Sequence, residues 1–374
     1  VPRHLFLPGL DPAIVYADDA LVIKYDADGV PVSSSSQPAM MAIMAEQLDL
    51  APGHRVLEVG TGSGYNAAVL AHIVGPGGSV VTVDIDPDLV AQAQESLRAA
   101  GYPAVRVRCA DGGFGDPGGA PFDRIIVTAG AWDIAPAWLT QLGPGGVLVL
   151  PLSVRGIQLS VALRRAGEHG AGEHGAGEHW AATSAFRCGF VRMAGAFADP
   201  APFQELGFGR YAQADGPSPD TEALAAALAA GPLASFPTGI AASGPDTLSD
   251  LDLWLTLTQP ELSRITTIST ESGGPLPFGG LAADASRDLG VSTLAVSALA
   301  ASAGEIVVRG FGPGGPALAA HLAALAAQWI PLGRPGAATL RLTVWPTGTP
   351  PRTAPGQLVL RRPHVQLAAG WPAA

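Results

Sequence analysis

Three carboxylates, Glu58, Asp84 and Asp111, stand in or just after three successive short runs with strand character, and Gly60, Gly62 and Gly64 follow the first of them. Glycines at a strand-to-helix turn allow positive φ and let a ligand approach the backbone with no Cβ in the way. Asp84 lies 24 residues after Gly60, where a carboxylate ending the second strand can accept both hydroxyls of a ribose. A tight turn that binds nothing is the bland alternative for the glycines taken alone. The acids argue against it, and they argue against a dinucleotide as well. A pyrophosphate needs a helix N-terminus free to face it, whereas Glu58 sits just before the first glycine. A carboxylate there suits a cation, such as the sulfonium and ammonium groups of S-adenosyl-L-methionine. Asp111, followed by Gly112, is placed to hydrogen-bond an adenine amine. The expected cofactor is S-adenosyl-L-methionine rather than NAD.

The elements that must hold these residues are well punctuated. Arg55–Val59 reads as a strand, Asn66 to Val74 as a helix and Ser79–Val83 as a second strand. Asp86 then serves as N-cap, Pro87 takes the first helical position, and Leu89, Ala93 and Leu97 share one face until Gly101 stops the helix. Strands at Ala104–Cys109 and Asp123–Thr128, a helix at Pro136–Leu142 and a strand at Val147–Leu150 complete the unit. This alternation predicts an α/β, Rossmann-like doubly wound sheet. The chain of 374 residues, 48% of them hydrophobic, has apolar side chain enough for two cores. The expected division is 1–200 for the doubly wound domain and 201–374 for a second, α+β domain. In the latter, helices are expected at Thr221–Ala230 and Pro316–Ile330, the second with Leu318, Leu322, Leu325 and Trp329 on one stripe. Strands are expected at Leu253–Thr258, Gly304–Gly310, Leu340–Trp345 and Gln357–Leu360.

Composition narrows the partners. With 32 acidic and 21 basic residues the formal charge is −11, which repels phosphate backbones, and no basic patch offsets it. No nucleic-acid partner is expected. Mean hydropathy is +0.28, yet there is no run of about 18 apolar residues, so no membrane span is expected either. Cys109 and Cys188 are too few for a disulfide scaffold or a zinc site and fit a reducing, cytoplasmic setting. The chain opens at Val1 without a methionine, which leaves room for further N-terminal sequence. Between Ala166 and Trp180 the unit AGEHG, AGEHG, AGEHW recurs. Its Glu-His pairs could be read as metal ligands, but five-residue spacing among glycines fixes no coordination geometry, and a solvated hairpin tip is the reading preferred. No metal is expected.

Six ordered blocks carry a resemblance over about residues 1–200: VPRHLFLP at the start, SQPAMM from Ser36, VLEVGTGSGY from Val56, ADGGFG from Ala110, APFDRIIVTAG from Ala120 and QLGPGGVLVLP from Gln141. The chain resembles the protein-L-isoaspartate O-methyltransferases. The resemblance implies S-adenosyl-L-methionine held by Gly60, Thr61, Gly62, Ser63, Gly64, Asp84, Ile85, Asp111, Gly112 and Thr128. It implies a polypeptide carboxylate as methyl acceptor and a catalytic pocket containing Ser36 of the S-x-P motif, with Ser34 and Gln37 beside it. The residue chemistry agrees. A carboxylate is already anionic at neutral pH, so methyl transfer from a sulfonium needs alignment and desolvation rather than a strong base. The Ser36 hydroxyl can hold one carboxylate oxygen while the other attacks. Its bland reading is an N-cap, after a flexible serine loop, for the helix bearing Met40, Met44 and Leu48.

Two departures from the family pattern bear on the acceptor. Ser34-Ser35 replaces the usual Thr-Ile ahead of the catalytic serine, predicting a more polar and mobile acceptor loop. Phe190-Val191-Arg192 replaces F-V-P, and Arg192 either meets a substrate carboxylate or pairs with an acid of its own chain. The long extension resembles that of actinobacterial relatives that methylate an ordinary Asp in a ribosomally made peptide, giving an aspartimide, and this is the favoured reading. Repair of L-isoaspartyl residues in damaged proteins is the alternative, so the partner is a peptide or protein bearing Asp or isoAsp. A non-catalytic cofactor-binding regulator would require loss of Ser36 or of the acids, and neither is lost. The extension is expected to select the substrate. Nothing in the sequence sets the oligomeric state.

Overall fold

The computed structural model describes residues 1–374 apart from 28, 167–178, 202–203, 208–209, 216–219, 270–277, 284–293 and 372–374. The AGEHG repeat lies almost wholly outside the described residues. The chain begins with α1 (Pro12–Val15), the hairpin β1 (Leu21–Tyr25) and β2 (Pro31–Ser35), and α2 (Pro38–Gln47). There follow β3 (Arg55–Val59), α3 (Tyr65–Val74), β4 (Ser79–Asp84), α4 (Pro87–Ala99), β5 (Arg106–Cys109), β6 (Phe122–Val127), α5 (Pro136–Thr140), β7 (Leu142–Val154), β8 (Ile157–Arg165) and β9 (Trp180–Arg187). The expected N-cap of α4 is present, since Asp86 accepts from the backbone N–H groups of Asp88 and Leu89.

β3 to β7 form a parallel core in the order β5-β4-β3-β6-β7, extended by antiparallel β8 and β9. The order reverses between β3 and its neighbours, which puts a crevice at their carboxyl ends. Side chains alternate between two cores. Val56, Val80, Ile126, Val147 and Val149 pack under α2 and α3, while Leu57, Val81, Ile125, Leu148 and Leu150 face the other side with Trp138.

The later elements are β10 (Gln204–Gly207), β11 (Arg210–Asp215), α6 (Thr221–Ala230), β12 (Ala234–Ala241), α7 (Pro245–Thr258), β13 (Ser263–Ser269), β14 (Phe278–Ala283), β15 (Ala295–Ser302), β16 (Glu305–Phe311), α8 (Gly315–Ala326), β17 (Arg341–Pro346), β18 (Leu358–Arg361) and β19 (Val365–Gly370). Seven of the strands make a second, antiparallel sheet, β10-β11-β13-β14-β15-β16-β12. The last three strands do not join it. β17 pairs with β9, so β18-β19-β17 complete a first sheet of ten strands. A boundary at 200 therefore marks where the chain leaves the first sheet, but residues 341–370 return to it.

One expected strand is a helix. Leu253–Thr258 forms the second half of α7, which begins with Pro245 at its first position. The helix is buried on two sides: Leu253 and Leu257 belong to the core of the first sheet, and Leu251, Trp254 and Leu255 to that of the second. Apolar residues wrap both faces, which erases the single-stripe pattern of a surface helix and leaves an alternating run that mimics a strand. Arg155, in the β7–β8 turn, caps the C-terminal end of α7 by donating to the carbonyls of Thr256 and Gln259 at 3.2 and 3.1 Å and to that of Leu262. Among the described residues no helix is long and apolar enough to cross a membrane.

Candidate active site

The crevice at the ends of β3 and β6 is a hollow lined by Ser34, Ser35, Ser36, Met41, Gly60 to Ser63, Tyr65, Asn66 and Thr128. Its floor is the glycine turn. Gly60, Gly62 and Gly64 have φ of 100°, 50° and 84°, which favours glycine at each. A Cβ at Gly60 would come to 2.5 Å from Oγ1 of Thr128. That hydroxyl donates to the carbonyls of Gly60 and Val59 at 2.8 and 3.1 Å and so fixes the end of the turn. Thr61 is buried with its Oγ1 2.8 Å from that of Thr82, and Ser63 Oγ accepts from the Tyr65 N–H.

The three acids lie in or just after neighbouring strands, Asp111 two residues beyond β5, and differ in environment. Glu58 is fully buried. Oε1 accepts from Nδ2 of Asn66 at 2.7 Å, and Oε2 has no hydrogen-bond partner among the described residues. Burial pushes its carboxyl up to about 7, against the pull of the Thr82 hydroxyl and the Asn66 amide. Asp84 accepts from the Gly62 N–H at 3.0 Å and the Asp86 N–H at 3.1 Å, tying the second strand to the glycine turn. Ile85 follows it, exposed. Asp111 accepts from the N–H of Gly113 at 2.9 Å and from that of Ala196 at 2.7 Å. The segment after β9 thus crosses the third strand end, with Phe197 packed edge-on against Phe114, ring centroids 6.0 Å apart. Gly112 accepts from the indole of Trp138 at 2.9 Å.

These residues fit a cationic nucleoside cofactor. A buried carboxylate oxygen lacks a partner beside a turn that only glycine can form, and an aspartate follows at the next strand end. Among the described residues no group of His, Cys, Asp and Glu is arranged to hold a metal.

On the acceptor side the structure departs from expectation for the serine loop and for Gln37, and it gives Ser36 no capping role and Arg192 an acid of its own chain. Three of the four serines are not in a loop: Ser33 to Ser35 lie in β2, paired with Lys24, Val22 and Leu21 of β1, and Ser33 and Ser35 are buried. Ser36 does not cap α2. The N-cap position is Gln37, and the free N–H of Ala39 is taken at 2.8 Å by Oδ1 of Asp18, from the loop before β1. Gln37 is turned away from the hollow, its Nε2 donating to the carbonyl and Oδ2 of Asp18, each at 3.0 Å. Arg192 is also engaged elsewhere: it pairs with Asp199 at 3.3 Å and donates to the carbonyls of Asp199 and Ala201. Of the expected acceptor-side residues the structure brings Ser34 and Ser36 to the glycine turn. Asn66, Tyr65, Met41 and Asp18 are not among the residues that the sequence singles out. Asn66 has a legible signal, an amide in the first turn of the helix behind the acid; Asp18 has none, because it caps a helix 21 residues away.

The family model for protein-L-isoaspartate(D-aspartate) O-methyltransferase matches residues 1–174. The chain is 47% identical over 159 residues to the protein-L-isoaspartate O-methyltransferase of Methanopyrus kandleri, spanning 42% of this chain and 68% of that protein. It is 43% identical over 175 residues to that of Staphylothermus marinus, covering 45% and 75%. A solved protein-L-isoaspartate O-methyltransferase aligns over 92% of this chain and 88% of its own at 22% identity and a TM-score of 0.47. Sheet, turn and acids define a Rossmann-like methyltransferase that uses S-adenosyl-L-methionine. The chain belongs to the protein-L-isoaspartate(D-aspartate) O-methyltransferase family and is a protein carboxyl O-methyltransferase.

Proposed function

We propose that the acceptor is the side-chain carboxylate of an aspartyl residue in a ribosomally made peptide, and that the methyl ester then closes to a succinimide. The observation that supports this reading is the second sheet. The family model stops at residue 174, and beyond it a second sheet is built against α7, which packs on the catalytic sheet as well, while the last three strands return to that sheet. Such a unit suits selection of one polypeptide better than indiscriminate access to damaged proteins. When bound, S-adenosyl-L-methionine supplies an electrophilic methyl group. Glu58, the Gly60–Gly64 turn, Asp84, Asp111 and Gly112 would hold it, and Ser36, with Ser34, would hold the acceptor. Ser36 would orient one oxygen of the acceptor carboxylate toward the methyl group that the bound cofactor supplies, and closure of the site around the two would exclude water. The backbone nitrogen of the next residue then attacks the ester carbonyl, loses its proton and expels methanol.

A second reading, repair of L-isoaspartyl residues, is favoured by the names of the relatives that match the first half. The two readings differ in the carboxyl that is methylated, the side-chain carboxyl of aspartate in the first and the α-carboxyl of isoaspartate in the second, and both esters close to the same succinimide. The intact protein should be incubated with the cofactor and, in parallel, a short isoaspartyl peptide, its aspartyl twin and any short Asp-containing peptide found encoded beside its gene. Mass spectrometry should show gain of a methyl group and then net loss of water on the encoded peptide. Preference for the isoaspartyl peptide over both others would instead establish repair.

A further inference from the structure

Arg3 lies in the short N-terminal turn Arg3–Phe6 and is 1% exposed, yet it meets no carboxylate at salt-bridge distance among the described residues. Its guanidinium is surrounded by oxygens of two separate segments, 15–19 and 35–36. Nη1 donates to the carbonyl of Val15 at 2.7 Å and to that of Ala17 at 3.3 Å. Nη2 reaches the carbonyls of Asp19, Ser35 and Ser36 at 3.2, 3.4 and 3.0 Å, and Oγ of Ser35 at 3.4 Å. Its Cζ lies 5.9 Å from the ring of Tyr65, which lines the hollow.

Burying a guanidinium against carbonyls costs desolvation, and an apolar side chain would fill the space with less penalty. What the planar fork adds is direction, since its donors fix several acceptors at set angles. The acceptors fixed here are the carbonyls that end β2, including that of Ser36 itself. On the other side of Ser36, Asp18 holds Gln37 and the first free N–H of α2. Along the chain Ser36 is thus held before and after: Arg3 binds the Ser35 and Ser36 carbonyls, and Asp18 binds Gln37 and the Ala39 N–H.

We propose that Arg3 is a positioning residue for methyl transfer: by holding the Ser35 and Ser36 carbonyls it sets the Ser36 hydroxyl against the acceptor. The proposal rests on Ser36 holding the acceptor, which is part of the proposed function. The test is a double-mutant cycle in the full chain, Arg3→Lys, Ser36→Ala and both together, with kcat and KM read on the encoded Asp peptide and on a short isoaspartyl peptide, and cofactor affinity read by calorimetry. Misplacement of a reacting group by about 1 Å costs on the order of a hundredfold, so Arg3→Lys should lower kcat by about ten- to a hundredfold with cofactor affinity nearly unchanged. In the Ser36→Ala background the same change should cost less than about threefold, because the group it positions is gone. An equal loss in both backgrounds would overturn the proposal. So would loss of the thermal transition together with cofactor binding in Arg3→Lys, which assigns Arg3 to the core alone. Unchanged turnover in Ser36→Ala by itself would sink the role of Ser36, and this proposal with it.

Discussion

Asn66 donates to one oxygen of Glu58 at 2.7 Å, and the other is buried and has no hydrogen-bond partner among the described residues. The carboxyl is held near 7 by that burial. A cationic ligand is attracted to the ionised form alone, so affinity for S-adenosyl-L-methionine should tighten as pH rises, by up to about tenfold per unit below 7, and level off above it. The stability of the cofactor-free protein should run the opposite way. The folded value lies above the ordinary 4.5, so the unfolded chain releases its proton first, and stability falls as pH rises from about 4.5 to 7, by on the order of 3 kcal/mol. Glu58→Gln should flatten both profiles. Calorimetric titrations and urea unfolding at pH 5, 6, 7 and 8 measure the two slopes, and parallel slopes in the variant would show that another group titrates.

Asp84 joins two parts of the cofactor site, because its oxygens accept from Gly62 and Asp86. Asp84→Ala removes the expected ribose contacts and also frees the glycine turn. Cofactor binding should weaken by about 1.5 to 3 kcal/mol, roughly ten- to a hundredfold. Titration of the variant beside the parent protein checks this, with near-normal affinity placing the ribose elsewhere.

What is legible in the sequence is what local chemistry decides. Asp86, Pro87 and Gly101 punctuate α4 within the helix itself, and the glycine turn between β3 and α3 is contiguous, so both are readable in place. What is illegible depends on distant partners. α7 loses its helical signature because Leu253 and Leu251 serve different cores. β17 to β19 give no sign of which sheet they join, since edge pairing with β9 is a choice made in three dimensions. On the acceptor side, Ser33 and Ser35 read as loop residues by type, but pairing with β1 makes them an interior row of a strand. The motif puts Gln37 in the catalytic pocket, whereas Asp18 draws its side chain away.

Ser36 and Asp18 can be separated by experiment. Ser36 does not cap α2, so Ser36→Ala should lower methyl transfer by about ten- to a thousandfold with little change in cofactor affinity or melting temperature. Asp18→Ala removes the helix cap and should cost about 0.5 to 2 kcal/mol of stability. Steady-state kinetics beside thermal unfolding distinguish the two. A drop in stability for Ser36→Ala equal to that of Asp18→Ala would put the serine back in a structural role.

Asp252 of α7 ties the two sheets together. Its oxygens accept from both terminal nitrogens of Arg264 on β13, each at 2.9 Å, and from Arg187 on β9 at 3.2 Å. Arg264 is 4% exposed. Asp252→Ala leaves the buried Arg264 beside the half-buried Arg187 without the carboxylate they share, and removal of one partner from a buried ion pair costs about 3 to 5 kcal/mol. Urea unfolding should register a loss of that size, and a cost under about 1 kcal/mol would place the attachment of the two sheets in apolar packing alone.

The returning strands bear on how far the catalytic half can stand by itself. Every residue assigned to methyl transfer precedes Asp199, which invites ending the chain there. The structure predicts that such a chain fails. β17 pairs with β9 through Thr343 and Val344 opposite Ala181 and Trp180, so truncation bares an inner edge of the catalytic sheet. It also strips Leu253, Leu257, Leu342, Val344, Val365 and Leu367 from the same core as Leu57, Ile125 and Leu148. Loss of one buried leucine to alanine already costs about 2 to 5 kcal/mol, and a domain's whole stability is about 5 to 15. The shortened chain should therefore lack a cooperative thermal transition and bind S-adenosyl-L-methionine weakly or not at all. Leu342→Ala in the full chain, by contrast, should melt lower while keeping cofactor affinity and the choice of peptide. A soluble 1–199 fragment with normal affinity and a sharp transition would show that the first seven strands of the sheet are sufficient, and that the last three are only an appendage to it.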